Sequence, residues 1–341
     1  MKRKAKAPAI WLTLLVVAMA AAACGGSTAT SAKTGTKLTT ITLGELAAGS
    51  AGGFINMAEQ QGYYKEYGVN LKVVQFASAT QLSPALVSGH IDMAIEGPDQ
   101  LLIATEKGAV HAKVIGSPMP GLPWAIYSAP NITSLNELVG KTMAVSAPTG
   151  LNQVVAELIL QKHGIDPKSV HFVNAGSNAN KFQALVAGTV DSASIPSDYV
   201  PLAPKYGLHI LALASNEVPL YPRWSIIAND AFLSAHPNAA VGYLAAMIKG
   251  ERYAFAHPQA ADALAAKTVG GNTKASDPTV TDMYKQIVQG KLVNKTAEFP
   301  LAQLSYEQQN LVQLGLLKKP VPVAQVYTNQ YRTAALKLVG S

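Results

Sequence analysis

The sequence predicts an α/β protein with two lobes, each built on a mainly parallel sheet with helices on both faces. Strand-like segments alternate with helix-like segments along most of the chain, which is the pattern of α/β layering. The chain has 341 residues, and chains longer than roughly 250 residues usually divide into two domains. An internal repeat further indicates that the two halves are built alike.

The first lobe begins with three steps from strand to helix. The expected strands lie at 41–43, 71–76 and 91–95, and the expected helices lie at 54–66, 81–88 and 98–108. Gly89 suits the position just after a helix, because glycine adopts the left-handed conformation without strain. Pro98 suits the first turn of the next helix, where no backbone N–H is needed.

The strongest internal signal is a repeat with an offset of 99 residues. The segment 85–94, Ala-Leu-Val-Ser-Gly-His-Ile-Asp-Met-Ala, parallels the segment 184–193, Ala-Leu-Val-Ala-Gly-Thr-Val-Asp-Ser-Ala. The register extends forward to Asp99 and Asp198 and backward to Ser78 and Ser177. A solenoid needs at least three such units, so a single repetition predicts two lobes of similar construction.

The rest of the chain completes the second lobe and then becomes helical. A capping box of Ser134 and Glu137 precedes expected elements at 142–145 (strand), 151–163 (helix), 208–214 (strand) and 226–228 (strand). Helices are then expected at 239–257, 259–268, 279–287, 301–314 and 330–338. Prolines within 116–123 and 218–223 indicate two crossings between the lobes. The predicted organisation is a signal peptide at 1–23, a flexible tether at 24–39, a discontinuous first lobe of 40–122 plus 224–341, and a second lobe of 123–223.

The N-terminal segment predicts export. Four cations before residue 7 precede an apolar run at 10–23, which is shorter than the ~20 residues needed to cross a bilayer. The sequence Ala21-Ala22-Ala23-Cys24 resembles the lipobox of bacterial lipoproteins, which implies acylation of Cys24 and anchoring at the outer face of the cytoplasmic membrane. An ordinary secretory signal with an incidental cysteine is the alternative.

Charge and cysteine content narrow the function further. The net charge of +7 includes the four cations of the signal segment, so the remainder carries only +3, which argues against nucleic-acid binding. Cys24 is the only cysteine, so an internal disulfide is excluded and the fold must depend on its apolar core.

Several segments resemble the solute-binding lipoproteins of ABC importers for nitrate, sulfonates, taurine and thiamine precursors. They are Gly62–Val69 (Gly-Tyr-Tyr-Lys-Glu-Tyr-Gly-Val), Leu86–Ala94 with Gly97-Pro98 after it, Leu135–Val145, and 230–237 with 256–258, and together they cover roughly 41–339. The resemblance implies a periplasmic-binding-protein fold of type II and hinge closure over a small anionic or planar organic solute. It also implies a monomer without cofactor or metal, whose partners are a permease and its ATPase.

Candidate ligand-binding residues follow from the expected layering, because ligands of α/β lobes bind beyond the carboxyl ends of the strands. Glycine lets a ligand approach the backbone, and hydroxyl or amide groups adapt to its polar atoms. The candidates are Ser50, Gly53, Ser78, Thr80, Gly97, Asp99, Tyr127, Thr149, Gly150, Asn152, Ser177, Asp198 and Trp224. The serines and aspartates are equally suited to capping helices, and packing at a hinge is the favoured interpretation of Trp224.

Motifs of common enzymes are missing from the sequence. There is no G-x-S-x-G, H-E-x-x-H or G-x-x-x-x-G-K-[ST] pattern, and the seven histidines have no metal-site spacing. Enzymes of the thiamine-precursor branch use a cysteine-rich iron-binding segment, which a chain with one cysteine cannot supply. A binding protein is therefore expected; the alternatives are a surface hydrolase with a triad assembled from distant residues and a sensor lipoprotein of the same fold.

Overall fold

The computed structural model describes residues 38–146, 148 and 150–340, apart from the side chain of Thr80. The predicted signal peptide, the acylated Cys24, nearly all of the predicted tether and the candidate residue Thr149 lie outside the described residues. Within the described part, no helix is both long enough and apolar enough to span a membrane.

The described elements form two sheets. The strands are β1 (Thr39–Leu46), β2 (Val69–Phe76), β3 (Met93–Glu96), β4 (Ala112–Met119), β5 (Trp124–Ser128), β6 (Thr142–Val145), β7 (His171–Asn174), β8 (Ser192–Pro196), β9 (His209–Leu213) and β10 (Trp224–Asn229). The order is β2-β1-β3-β10-β4 in the first sheet and β7-β6-β8-β5-β9 in the second. Only β10 and β5 run antiparallel to their neighbours in the described sheets. The predicted α/β fold with two sheets is confirmed, and both sheets are mixed, since two of the four pairings in each are antiparallel.

The helices fall into a group between the strands and a C-terminal group. The first group is α1 (Gly52–Ile55), α2 (Met57–Gln60), α3 (Tyr63–Glu66), α4 (Ala79–Val87), α5 (Asp99–Glu106), α6 (Leu151–Lys162), α7 (Asn178–Val186) and α8 (Ala214–Glu217). The second is α9 (Asp230–Ala235), α10 (Pro237–Ala256), α11 (Pro258–Val269), α12 (Pro278–Gln289), α13 (Leu301–Gln313), α14 (Val323–Val326) and α15 (Gln330–Val339). Short 3-10 segments occur at Gly49–Ala51, Leu135–Leu138, Pro167–Ser169 and Ser197–Tyr206.

Both sheets are covered by helices on both faces, as the alternation of buried side chains requires. In β10, Ile226 packs with Tyr243 of α10 on one face, whereas Ile227 packs with Leu82 of α4 on the other. In the second sheet, α6 covers one face of β5 and α7 covers the opposite face. Each fully buried side chain of this kind contributes about 1.5–3 kcal/mol to stability.

The 99-residue repeat corresponds to equivalent structure in the two sheets. It relates α4 and β3 to α7 and β8, and the neighbouring strand orders β2-β1-β3 and β7-β6-β8 match. Asp92 Oδ2 accepts the backbone N–H of Thr42 at 2.7 Å, and Asp191 Oδ2 accepts that of Thr142 at 2.8 Å. The repeated aspartate therefore joins the residue just before β3 to β1 in one half and the residue just before β8 to β6 in the other.

Three local expectations were wrong. The helix expected at 54–66 is three short helices: α1 and α2 are separated at Asn56, and Gly62, in the left-handed region at φ 72°, separates α2 from α3. The capping box is incomplete: the Ser134 side chain makes no cap bond, although Glu137 interacts with the N–H of Ser134 and its Oε2 accepts the N–H of Thr133 at 2.6 Å. The buried strands β4 and β5 were not expected, because the prolines around them indicated only a connection.

Candidate functional site

A cavity of about 470 Å³ lies between the two sheets, at the edge where the parallel strands end. The wall on the side of the first sheet consists of Ala47–Ala51, Met119, Thr268, Val269, Thr273, Asp277, Thr279 and Met283. The wall on the side of the second sheet consists of Pro123, Ser177–Ala179, Pro196, Asp198, Tyr199 and Leu202, and the second crossing adds Arg223 and Trp224. Loops that follow β1, β4, β7 and β8 thus meet around one space, as expected for α/β lobes.

Arg223 lies between two aromatic rings at the second crossing. Its guanidinium carbon is 4.5 Å from the centroid of the Trp124 ring and 4.2 Å from that of the Trp224 ring. Its Nε has no hydrogen-bond partner among the described residues. Burial lowers the pKa of Arg223 to about 9, although the negative charge of Asp198 opposes this shift. The guanidinium is therefore positioned by stacking, with a donor left for a ligand.

Asp198 opens the 3-10 segment that follows β8, and it faces the loop after β1. A Cβ on Gly49 would lie 3.4 Å from Asp198 Oδ2, and Oδ1 has no partner in the described part of the chain. Burial raises the pKa of Asp198 to about 6, whereas the Arg223 charge and the N–H of Ser50 lower it. The carboxyl group thus has one buried oxygen that accepts no hydrogen bond from the described residues.

Ser50 contributes a hydroxyl from the first sheet. The residue is only 4% exposed, and its side chain, like its N–H, interacts with the Asp198 carboxyl and lowers the pKa of that group. Ser50 thus joins the loop after β1 to Asp198 in the opposite wall, and it is a candidate ligand contact because it lines the cavity.

The second sheet also carries a buried lysine beneath the cavity wall. The Nζ of Lys181 donates to Ser146 Oγ at 2.8 Å and to the Ser194 carbonyl at 3.4 Å, and it lies 5.9 Å from the centroid of the Trp124 ring. The side chain is fully buried. Sequence reasoning missed this residue because a lysine in an amphipathic helix is expected on the solvent face.

The C-terminal helices close the cavity with groups that are already paired or apolar. Asp277 Oδ1 accepts the N–H of Thr279 at 3.0 Å and its hydroxyl at 2.8 Å, so it caps α12. The Thr268 hydroxyl donates to the Leu264 carbonyl at 2.9 Å. Met283 adds apolar surface. None of these residues was a candidate, because helices so far along the chain carry no sequence signal of their proximity to the first strands.

Two hydrogen bonds between Ser197 and Gln286 join the two halves of the protein beside the cavity. Ser197 Oγ, just after β8, donates to Gln286 Oε1 of α12 at 2.5 Å. The side-chain amide of Gln286 donates in return to the Ser197 carbonyl at 3.5 Å. This reciprocal contact connects the second sheet's 3-10 segment to a helix packed on the first sheet.

The structure brings some candidate residues to the cavity and places others elsewhere. Ser50, Ser177, Asp198 and Trp224 line the cavity, and Ser177 also caps α7 by accepting the N–H of Asn180 at 3.2 Å. Tyr127 and Asn152 lie beneath it, where the Tyr127 hydroxyl donates to the Pro196 carbonyl and the Asn152 amide to the Ser194 carbonyl. Ser78, Thr80 and Gly150 lie at helix starts outside the described lining.

The remaining candidates serve packing. A Cβ on Gly53 would lie 2.4 Å from the Ala261 carbonyl oxygen, and one on Gly97 would lie 2.5 Å from Asp99 Oδ1. Asp99 is buried behind the cavity, and burial raises its pKa. In the described part of the chain, no group of three His, Cys, Asp or Glu side chains could hold a metal ion.

Comparison with known proteins gives one family. Residues 52–261 match the model of the family described as "NMT1/THI5 like". The protein YtlA of Bacillus subtilis, which is named as a binding protein, is 24% identical over 214 residues, 59% of this chain and 62% of YtlA. The 4-amino-5-hydroxymethyl-2-methylpyrimidine phosphate synthase THI5 of Saccharomyces cerevisiae is 23% identical over 221 residues, 60% of this chain and 63% of THI5. The chain thus spans less than two thirds of the length of either relative.

Among solved structures, the periplasmic nitrate-binding protein NrtA of Synechocystis PCC 6803 has a similar fold. Its TM-score is 0.73 at 14% identity, and the match covers 89% of this chain and 90% of NrtA. At that identity the likeness concerns the fold alone. The periplasmic-binding-protein fold expected from the sequence is confirmed.

Two aspartates of the cavity wall are expected to affect stability in opposite directions. The raised pKa of Asp198 means that its carboxyl resists ionisation in the folded state, so its cost appears as the pH rises from about 4 to about 6 and persists above that. Asp198→Asn should therefore raise the free energy of unfolding at pH 8 by about 1–2 kcal/mol, after allowance for solvent screening, and leave it unchanged near pH 3.

The matched variant is Asp277→Ala, which removes a helix cap and should lower the free energy of unfolding by about 1 kcal/mol. Urea unfolding of both variants at the two pH values measures the effects. If Asp198→Asn instead lowers the free energy of unfolding at pH 8, then burial does not disfavour the ionised form of Asp198 in the folded protein.

Proposed function

The chain belongs to the NMT1/THI5-like family, and we propose that it is the extracytoplasmic solute-binding component of an ABC importer. The observation that carries the proposal is the cavity between the two sheets, whose wall combines aromatic rings, an arginine, a carboxylate and a hydroxyl. Such a concave, partly apolar space with a few converging polar groups is typical of small-molecule sites.

The binding mechanism in this proposal is hinge closure. The chain passes between the sheets at 120–123 and 218–223, and both segments are short and rich in proline. These segments are the hinges between a first lobe of 40–122 plus 224–341 and a second lobe of 123–223. A solute that contacts both walls stabilises the closed arrangement by its differential affinity, and no covalent bond changes.

The proposed solute is a small organic molecule that is anionic or planar. Trp224, Tyr199 and Met283 offer flat or adaptable apolar surface, and Arg223 offers a positive charge. NrtA is named for nitrate, and THI5 for a pyrimidine phosphate. A sulfonate, nitrate or a vitamin or pyrimidine precursor fits this chemistry.

The rival within the same family is an enzyme, because the THI5 relative is named a synthase. None of the described residues that line the cavity is a histidine or a cysteine. The cavity wall thus lacks the common general base and the common nucleophile in its described part. We therefore favour binding without conversion.

A solute-binding protein outside the membrane must remain near its permease, and we propose acylated Cys24 as the membrane anchor. The residue follows three alanines at the end of an apolar segment preceded by four cations. One lipid chain gives only weak membrane binding, so a lipoprotein carries several acyl chains on its terminal cysteine. The protein would then be held at the outer face of the cytoplasmic membrane.

Binding is tested by a thermal-shift screen of sulfonates, nitrate, pyrimidines, riboflavin and amino acids. A solute present at 100 times its Kd should stabilise the protein by about 2.7 kcal/mol, which corresponds to several degrees of melting temperature. Ser50→Ala should weaken the binding of that solute about three- to tenfold, because it removes a hydroxyl from the cavity wall. Ser88→Ala, at an exposed serine, is the control. A library without any hit would refute the function.

Closure is tested by removing the contact between Ser197 and Gln286. Gln286→Ala should raise the Kd of the same solute about fivefold, because the closed state loses a hydrogen bond worth about 1 kcal/mol. Gln289→Ala changes the same residue type at an exposed position of the same helix and should leave the Kd unchanged. Isothermal titration calorimetry measures both, and equal Kd values for the two variants would count against closure through this contact.

Anchoring is tested by Cys24→Ser in the full chain. The wild-type protein should partition with the membrane and into detergent, and the variant should appear in the aqueous fraction. Western blots of the separated fractions provide the measurement. Identical partitioning of both proteins would rule out the lipid anchor and leave the solute-binding role intact.

A further inference from the structure

Lys181 is a buried cation for which the described chain supplies no anion. The residue is 0% exposed and lies in α7, whose first turn lines the cavity. Its Nζ bonds to one hydroxyl and one carbonyl, and no carboxylate of residues 38–146, 148 and 150–340 lies within ion-pair distance of it. Burying an unpaired ammonium is costly, so an uncompensated lysine in a core calls for an explanation.

The repeat shows that the fold itself does not require an amine at this position. The register of 99 residues relates Lys181 to Leu82, which is equally buried in α4 of the first half. An apolar side chain therefore fills the equivalent space under the equivalent helix. Lys181 thus occupies a position that an apolar residue fills in the other half. Its location beneath the cavity wall indicates a role in the site.

The surroundings of Lys181 connect it to Arg223. Ser146, its hydroxyl partner, directly follows β6, and Ser194 belongs to the neighbouring strand β8. The Trp124 ring lies 5.9 Å from the lysine Nζ and 4.5 Å from the guanidinium carbon. Two cations are thus arranged around one indole at the carboxyl edge of the second sheet, and the positive charge of the site is concentrated there.

We propose that Lys181 supplies a second positive charge to the cavity from beneath its wall and that it takes up a proton when the acidic group of the solute binds beside Arg223. The proposal rests on the proposed function, since it specifies the chemistry of the solute for that same cavity: an organic acid with a carboxylate or sulfonate group. It also predicts a regulatory property, namely that the site binds its solute more weakly as the pH rises above neutrality.

Titration of the neighbouring groups is consistent with this assignment. Burial and then the like charge of Arg223 lower the pKa of Lys181 to about 7. On the adjoining β5 and 3-10 segments, burial raises the pKa of Tyr127 and of Tyr199, so both stay neutral. Asp198, with a pKa raised to about 6, titrates in a neighbouring range and must be separated by its own variant.

The sign of the effect follows from linkage. Below about pH 6, Lys181 is protonated in the free protein, so the Kd of an acid should be constant there. Above pH 7 the free protein must take up a proton to bind, and the Kd should rise by up to tenfold per pH unit.

The experiment uses benzoate and benzenesulfonate as probes, with the neutral isosteres benzamide and benzenesulfonamide as ligand controls, titrated calorimetrically between roughly pH 5 and 9. The wild type should bind the acids at least about tenfold more tightly than the amides at neutral pH. Lys181→Met should abolish this preference and the rise of Kd above pH 7, while affinity for the amides persists. Lys181→Arg should keep the preference and lose the pH dependence, because arginine does not titrate in this range.

Two control variants distinguish the effect of Lys181 from the effects of other charged residues. Lys168→Met removes the same charge from an exposed position and should behave as the wild type, and Asp198→Asn should retain the rise of Kd above pH 7. If Lys181→Met does not fold, the wild-type pH profile and the arginine variant decide the question.

Unchanged acid affinity and pH dependence in Lys181→Met would overturn the proposal, as would equal affinity of wild type for acids and amides. A neutral solute found in the thermal-shift screen, with no acid binding at millimolar concentration, would overturn this inference but leave solute binding standing. A thermal-shift screen without any hit would contradict the proposed solute-binding function itself.

Discussion

The two passages of the chain between the sheets are the constraint on which the rest of the structure depends. Each passage ends in the antiparallel strand that sits inside the sheet it enters, β5 in the second sheet and β10 in the first. Both strands are hydrogen-bonded to neighbours on both sides, so each crossing is fixed at the end where it enters a sheet. The short stretches 120–123 and 218–223 precede these strands, and the cavity forms directly beside them.

This arrangement also explains where polar groups are left without partners. Most buried polar atoms in folded proteins are bonded, and exceptions mark strain or function. Beside the cavity, Asp198 Oδ1 and Arg223 Nε lack hydrogen-bond partners among the described residues. Glu307 and Tyr221 interact with each other away from the cavity lining, and burial raises the pKa of the Glu307 carboxyl well above its usual range.

The sequence predicted the architecture better than the site, and particular residues show why. Periodicity and the repeat are local signals, so α4, β3, α7 and β8 were placed correctly, and the loops after β1, β7 and β8 contained the candidates Ser50, Ser177 and Asp198. Met283 and Thr268 could not be found this way, because their proximity to β1 is created by tertiary packing of helices more than 200 residues away. Lys181 had a usable signal: aligning the repeat sets a lysine against the core residue Leu82.

That alignment suggests how one fold came to carry a specific site. Where the halves agree, the residues build structure: Asp92 and Asp191 join strands, and Leu86 and Leu185 are equally buried. At one buried position where they differ, Leu82 and Lys181, the lysine lies beneath the cavity wall. Asp99 and Asp198 show that identity alone is insufficient, since Asp99 begins a regular helix and is buried behind the cavity, whereas Asp198 opens a 3-10 segment that turns it toward the cavity. The charge of the site thus belongs to the second sheet, and the first sheet supplies hydroxyl, apolar and capped groups that complete the enclosure.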